Sequence, residues 1–480
     1  MNPLSILSII YLVFVIVLAL VYYLVPKKGQ WMVLLAGSIA FYLTYGWKAL
    51  AVLAATSFIV YIAGLHSGDA NPAGSRSGAA AAAFGIVIPA AILIFMKLPG
   101  NPLIGRFSLV VPLGISFYTL QLISYIADVR KGSIQPERNF FRFFLTVSFF
   151  PHIMQGPIER FGDLNGQFRE EHRVSWDRFV DAGLLMAWGY IKKLVIADRA
   201  AIFVDHAWES MDTTGGSVFF VAALLYSVQI YADFSGCVDI ARGTAEVFGI
   251  KMADNFNVPY FSQSVQEFWR RWHISLSSWL RDYIYIPLGG NRKGAFRKWL
   301  NVFLVFFVSG LWHGSGLTFL LWGLMHAALQ LLGYLLMPLR RWLRRVLSVD
   351  MDHTATKIFR GVFTFLMVTA AWVLFRAPDV ISGLKVLGRI ALKPTLWNLT
   401  DGTLCGYGLS TSTWLMLIVF IVILLFVDIA NYKGIVVREA VRKQHFLVRA
   451  LIYEAAILSV ALFGVYGLGY NADAFIYMAF

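Results

Sequence analysis

Charge is scarce in this chain. Asp, Glu, Lys and Arg together make up 14% of its 480 residues, against roughly 25% in soluble proteins, which excludes an ordinary soluble domain. Cysteine is scarcer still: the chain holds two, Cys237 and Cys405, far apart in sequence. That excludes a disulfide framework and any zinc or redox motif built on paired cysteines. Acidic residues are the minority sign, with 27 Asp plus Glu against 41 Lys plus Arg, for a net charge of +14. In so apolar a chain the basic excess belongs on cytoplasmic loops, so no nucleic-acid partner is expected. No cleavable signal is expected from the first apolar run. That run, Leu4 to Val25, is long enough to span a bilayer but has neither a basic start nor a small-residue cleavage site.

What the chain has in quantity is apolar residue: 58% hydrophobic and 16% aromatic, with mean hydropathy +0.66. This is the composition of an all-α polytopic membrane protein. Apolar stretches recur at about 4–25, 31–47, 49–65, 79–98, 109–127, 140–155, 182–204, 217–234, 300–311, 315–337, 358–375, 413–430 and 450–470. At ~20 residues per crossing they give roughly 10–12 transmembrane helices, with re-entrant and interfacial pieces besides. No inverted repeat of the transporter kind stands out, so residues 1–480 read as one membrane domain, with a small-residue linker at 66–78. Lys27 and Lys28 place the first loop in the cytosol and the N-terminus outside. The loops carrying Arg130, Lys131 and Arg138, then Arg340, Arg341, Arg344 and Arg345, then Lys433 to Arg449, face inward too.

Two segments break the apolar pattern. Within 182–204, "GYIKKLVIADRA" sets Lys192, Lys193, Asp198 and Arg199 among apolar residues. Such a helix either lies at the interface with its charges snorkelling or faces a polar interior. The second is a polar insert, 251–298, whose Arg270, Arg271, Arg281, Arg292, Lys293, Arg297 and Lys298 mark it as cytosolic. Ser264-Val265-Gln266-Glu267 is a capping-box pattern that starts a helix. Continued, that helix puts Phe268, Trp272, Ser275 and Trp279 on one face, with Trp269, His273, Leu276 and Leu280 beside it. Tryptophans flanked by arginines describe an interfacial helix. His273 on its apolar side is either a packing histidine or a functional one. The following "PLGGNRKG" is either an ordinary Gly-Gly turn with a basic anchor or a backbone cradle for phosphate.

The stretch "SGLWHGSGLTFLLWGLMHA", 309–327, carries no charge yet holds His313 between glycines. Lys298 and Arg340 both read as cytosolic, so 299–339 is a hairpin that enters the membrane and returns. Fourteen uncharged residues from Trp299 to Trp312 span about 21 Å as helix. That puts His313 past the middle of a ~30 Å hydrocarbon core. Irregular backbone at that depth requires protein or a water-filled cavity around it, and an imidazole there is either a general base or a helix–helix hydrogen-bonding group. His326, thirteen residues on, reads as structural and far from His313.

Several stretches together carry a family resemblance: "VPLGISFYTLQLISYIADV" (111–129), "QGPIERF" (155–161), "YADFSGCVDIARGTAEVFGI" (231–250), "NFNVPY" (255–260), "EFWRRWHISLSSWLRDYIYIPLGGNRKG" (267–294), "LWHGSGLTFLLWGLMHA" (311–327) and "FIYMAF" (475–480). They resemble the membrane-bound O-acyltransferase (MBOAT) family, in its bacterial branch of polysaccharide O-acetyltransferases. The resemblance implies a ring-like helical membrane protein with a thin centre. It implies a catalytic histidine at His313 and a second polar position at His273. The implied chemistry is transfer of an acetyl group from cytosolic acetyl-CoA, a substrate rather than a bound cofactor, to a hydroxyl for O-acetylation of an extracytoplasmic polysaccharide or cell-wall glycan. The implied setting is the cell membrane, among membrane lipids, with an extracytoplasmic SGNH-type acetyltransferase as partner.

Under that resemblance His313 acts as general base. Trp312 is a candidate to hold the oxyanion. Arg270, Arg271, Arg292 and Lys293 are candidates for the donor's phosphates by charge alone, and Asp233 and Asp282 for an acidic orienting partner. No metal ligands are expected. "SGLWHGSG" departs from the commoner "GGLWHGAG" by two small residues, and "PHIMQGPIER" departs from the alginate proteins' equivalent, so the acceptor stays open. The alternatives are D-alanyl transfer to teichoic acid, a transporter of a lipid or sugar intermediate, and a scaffold without chemistry.

Overall fold

A computed structural model describes residues 4–68, 76–97 and 111–466. Most of the 66–78 linker and the C-terminal "FIYMAF" lie outside the described residues. Among those described the secondary structure is helical, and eight helices are long and apolar enough to cross a membrane. Their outer faces carry large apolar side chains in the open: Leu415, Ile418, Val419, Val422, Leu425 and Phe426 of Thr411–Tyr432 are all exposed. On a soluble protein a patch of that size would drive aggregation; facing lipid it is the stable arrangement.

The chain divides into two compact units. One takes in the described residues up to Gly189 together with Cys237–Asp254; the other takes in Tyr190–Gly236 and the described residues from Asn255 on. The first is built on aromatic packing. Tyr11, Phe14, Phe41 and Phe150 meet with ring centroids 5.3–6.5 Å apart, and Tyr125 packs on Phe143 (4.9 Å) and Phe161 (4.5 Å). Gly64 makes room for that tyrosine, since a Cβ there would sit 2.6 Å from its ring. Buried Glu137 ties the unit's loops together: it accepts from the Asn139 N–H (2.9 Å) and Asn165 Nδ2 (2.8 Å) and pairs with Arg169.

Two apolar stretches do not form plain spans. The stretch at 140–155 breaks into Phe140–Ser148 and a single turn, Phe150–Ile153, because Pro151 opens the second piece. The stretch at 182–204 runs from Trp176–Tyr190 through a π-helical turn, Ile191–Ala197, into Asp198–Glu209. The π turn settles the two readings of its charges. Lys192 and Lys193 are buried in the second unit. Lys193 Nζ pairs with Asp233 and, at 2.8 Å, with Asp198; Lys192 Nζ donates to Ser235 Oγ at 2.9 Å. Lys192, Lys193 and Asp198 face a polar interior, whereas Arg199 is part-exposed and donates to the Phe463 carbonyl at 2.7 Å.

Candidate functional site

Residues 294–335 of the second unit form a helical hairpin. Gly294–His313 and Leu317–Leu335 are joined by three residues. Lys298, at the foot of the first arm, lies over the ring of Tyr334 at the end of the second (5.3 Å), which brings both feet to one side. The first arm begins at Gly294, five residues before the uncharged run. Small residues permit the close crossing. A Cβ on Gly323 would lie 2.3 Å from the Phe306 carbonyl oxygen, and one on Gly310 would lie 2.7 Å from that of Phe319.

His313 is the last residue of the first arm, and Gly314 follows in extended backbone. A Cβ on Gly314 would meet the Phe319 ring at 2.4 Å, so a glycine here lets the turn close over the imidazole. His313 is 3% exposed. Its ring stands edge-on to Trp322 (4.9 Å) and Phe375 (5.5 Å) and beside Trp312 (4.8 Å).

The insert corrects the expectation of one continuous helix. Ser264 does cap a helix, its Oγ accepting the Glu267 N–H at 3.1 Å. That helix, Val265–Arg271, then stops, and a second one, Ile274–Leu280, begins after a break. His273 is the break, held at φ 44° in the left-handed region, a conformation uncommon for any residue but glycine. The single face expected to run from Phe268 to Trp279 is therefore interrupted.

Asn255 stabilises the break. The Asn255 carbonyl accepts the Ile274 N–H at 2.9 Å. Its side-chain Oδ1 accepts the Ser275 N–H (3.1 Å) and the Ser275 hydroxyl (2.8 Å), and lies 3.2 Å from His273 Nδ1. A backbone N–H can only donate, so the atom facing it is the amide oxygen. His273 Nδ1 must then carry the proton, which leaves Nε2 as a lone-pair acceptor. Burial pushes this imidazole down to about 3, so it is neutral at physiological pH.

Trp312 joins the two histidines, its ring 6.0 Å from His273 and 4.8 Å from His313. The expected trio of His313, His273 and Trp312 is thus one buried cluster, with Phe234 against His273 at 4.8 Å. Asn255 was not singled out from sequence; its one signal is that it opens "NFNVPY". Trp322 stands between His313 and His326, in ring contact with each. Because the chain turns back within three residues, Trp322 comes level with His313, and His326 lies one helical turn beyond Trp322, at 5.2 Å. His326 is fully buried among Phe268, Trp269, Phe306 and Trp372.

The candidate cations lie on two segments, the helix Val265–Arg271 and the glycine turn before Gly294. Arg271 is committed to Glu267 (3.0 Å) and to the face of Tyr432 (5.6 Å). Arg270 is exposed on the same helix, while Arg292 and Lys293 are exposed in the glycine turn. That turn spends its amides internally: the N–H groups of Gly289, Gly290 and Arg292 donate to the carbonyls of Ile286, Tyr285 and Gly289. Asn301 Nδ2 clamps it through the Gly290 carbonyl at 3.0 Å. These three amides are therefore taken up within the turn, which the hairpin's first arm holds. Of the candidate acids, Asp233 pairs with Lys193 and Asp282 with Arg281 (2.8 Å).

A multi-pass helical membrane protein with a buried histidine at a hairpin tip and a second one beside it across Trp312 is the class these features define. The chain belongs to the membrane-bound O-acyltransferase family, in its polysaccharide O-acetyltransferase branch, and is an acyltransferase. The family model matches residues 136–375. A protein of Azotobacter vinelandii named "Probable alginate O-acetylase AlgI" is 38% identical over 376 residues, 75% of this chain and 72% of that one. A "Peptidoglycan O-acetyltransferase" of Helicobacter pylori is 37% identical over 311 residues, 59% of this chain and 58% of that one. A "Teichoic acid D-alanyltransferase" of Bacillus subtilis is 29% identical over 235 residues, 45% of this chain and 58% of that one.

Proposed function

We propose that this acyltransferase moves an acetyl group from acetyl-CoA to a hydroxyl for O-acetylation of an extracytoplasmic polysaccharide or cell-wall glycan, with a secreted SGNH-type acetyltransferase as the receiving partner. The observation that carries the reading is the single tryptophan, Trp312, shared by His273 and His313 in a buried cluster. In the proposed reaction His313 takes the proton of the attacking hydroxyl as its oxygen adds to the thioester carbonyl. The tetrahedral intermediate places negative charge on the former carbonyl oxygen of the thioester, for which the Trp312 indole N–H is the candidate donor. The C–S bond then breaks, and His313 returns the proton to the leaving thiolate, so the enzyme ends as it began. His273, held neutral with Nε2 as acceptor, orients a polar group of donor or acceptor. Arg270, Arg292 and Lys293, exposed and unpaired with carboxylates in the ion pairs described, attract the donor's phosphates.

The relatives named for O-acetylation share 37–41% identity with this chain and those named for D-alanyl transfer 29%, which favours acetyl as the group moved. The N-terminus is placed outside on the strength of Lys27 and Lys28, and a cysteine introduced at Lys298 or at Arg340 should label from the cytosol. The deciding experiment is acetyl transfer from labelled acetyl-CoA in membranes, wild type against His313→Ala at matched protein level. Loss of label with the protein folded and inserted supports the base role. Persistence of label removes His313 from the chemistry and moves the search to His273.

A further inference from the structure

The helix Met337–Val346, "MPLRRWLRRV", follows directly on the hairpin's second arm. At 100° per residue Leu339, Trp342, Leu343 and Val346 fall on one face, and Arg340, Arg341, Arg344 and Arg345 on the other. The helix contains no acid. Both faces are exposed, with Trp342 at 53% and Val346 at 60%. A short helix with so sharp a division lies in a membrane interface, its apolar side among acyl chains.

The arginine face is not uniform. Arg340 and Arg344, one turn apart, both act electrostatically on Arg360 of the neighbouring helix Thr354–Arg376. Arg360 Nε is enclosed and has no hydrogen-bond partner in the protein. The acids nearby are already engaged. Both oxygens of Glu267 are used, by Arg271 and by the Gln263 N–H (2.9 Å), and Asp352 pairs with Lys357 at 3.5 Å. Glu267 also acts on Arg360, but its oxygens are taken, so one carboxylate already spent on Arg271 stands against the charges of Arg340, Arg344 and Arg360, and the enclosed Nε–H of Arg360 has no acceptor in the protein. Like charges are held together at a cost unless an anion sits among them, and guanidinium forks fit phosphate oxygens.

We propose that Arg340, Arg344 and Arg360 form a binding site for the phosphate of an anionic phospholipid headgroup, while Leu339, Trp342, Leu343 and Val346 lie against its acyl chains. The apolar face selects a lipid over a soluble phosphate, which would need no such surface. The site is independent of the acyl-transfer chemistry.

The test uses the full-length protein in nanodiscs of phosphatidylcholine mixed with phosphatidylglycerol, with retained lipid read by native mass spectrometry. Wild type should retain phosphatidylglycerol selectively, and Arg360→Gln and the double variant Arg340→Gln/Arg344→Gln should each lower that retention about tenfold. Arg341→Gln/Arg345→Gln removes the same charge from positions outside the cluster and should lower it less. Since Arg360 is partly buried, the double variant, on exposed residues alone, decides if Arg360→Gln fails to fold. Equal retention by wild type and the Arg340/Arg344 variant overturns the site. Displacement of the lipid by inorganic phosphate also overturns it, in favour of a soluble-phosphate site.

Discussion

Nδ1 of His273 lies 3.2 Å from Oδ1 of Asn255, an oxygen that also receives both the N–H and the hydroxyl of Ser275. One side-chain atom thus caps the helix after the break and sets the tautomer of a buried imidazole. Replacing Asn255 by Leu strands the buried Ser275 N–H, with a stability loss of about 1–3 kcal/mol. It also frees His273 to take the other tautomer. Acetyl transfer should fall at least tenfold, and Asn255→Asp, which keeps the accepting oxygen, should retain more. Transfer measured beside thermal unfolding separates the two effects; full activity in Asn255→Leu would remove His273 from the proposed chemistry.

Lys193 neutralises two acids in the second unit, Asp233 and Asp198. Lys193→Met removes this cation from beside Asp233, which is almost fully buried. Removing one member of a buried pair costs about 3–5 kcal/mol. The loss should appear as a lowered thermal midpoint in detergent, and the second substitution Asp233→Asn should recover part of it. A double variant no better than the single would show that the packing of the lysine stem matters more than its charge.

Glu159, outside the spans, is buried and accepts the Ala253 N–H at 2.8 Å. Burial, aided by nearby Asp163, raises its carboxyl to about 7. A carboxyl raised above its unfolded value near 4.5 binds its proton more tightly in the native state. Its contribution to stability is full below about 4.5 and falls as pH rises toward 7. Glu159→Gln keeps an acceptor without the charge. It should therefore raise the thermal midpoint at pH ~8 and change it little at pH ~5. An equal effect at both pH values would mean that Glu159 titrates normally.

Gly323→Ala should weaken the hairpin. Its Cβ would lie 2.3 Å from the Phe306 carbonyl oxygen, a backbone atom that cannot swing aside. Overpacking of this kind costs about 1–3 kcal/mol or more. Gly333→Ala, where a Cβ meets nothing within 4 Å, is the control. Equal thermal midpoints for the two variants would contradict the close crossing.

The sequence made the apolar character of the chain, its family resemblance and the hairpin legible, because each rests on local pattern. The capping box at Ser264 was legible for the same reason. The break at His273 was not. Periodicity carried one amphipathic face from Phe268 to Trp279, and nothing in "RRWHIS" announces a left-handed residue. The break is stabilised because Asn255, eighteen positions earlier, supplies the acceptors that the N-terminal end of Ile274–Leu280 would otherwise lack. The contact from Trp322 to both His313 and His326 was hidden for a related reason. Distance along the chain overstates separation when a three-residue turn reverses it. Lys193 stayed open between two readings because its partners, Asp233 and Asp198, lie on other turns and helices.

The left-handed backbone at His273 sets two selections against each other. Glycine at 273 would relieve the φ of 44° without steric cost, and so should be enriched in a variant library sorted for expression or heat resistance alone. A library sorted for acetylated product should hold histidine there despite the strain. Sequencing position 273 in both pools would show whether the imidazole is retained for what it does or merely tolerated where it sits.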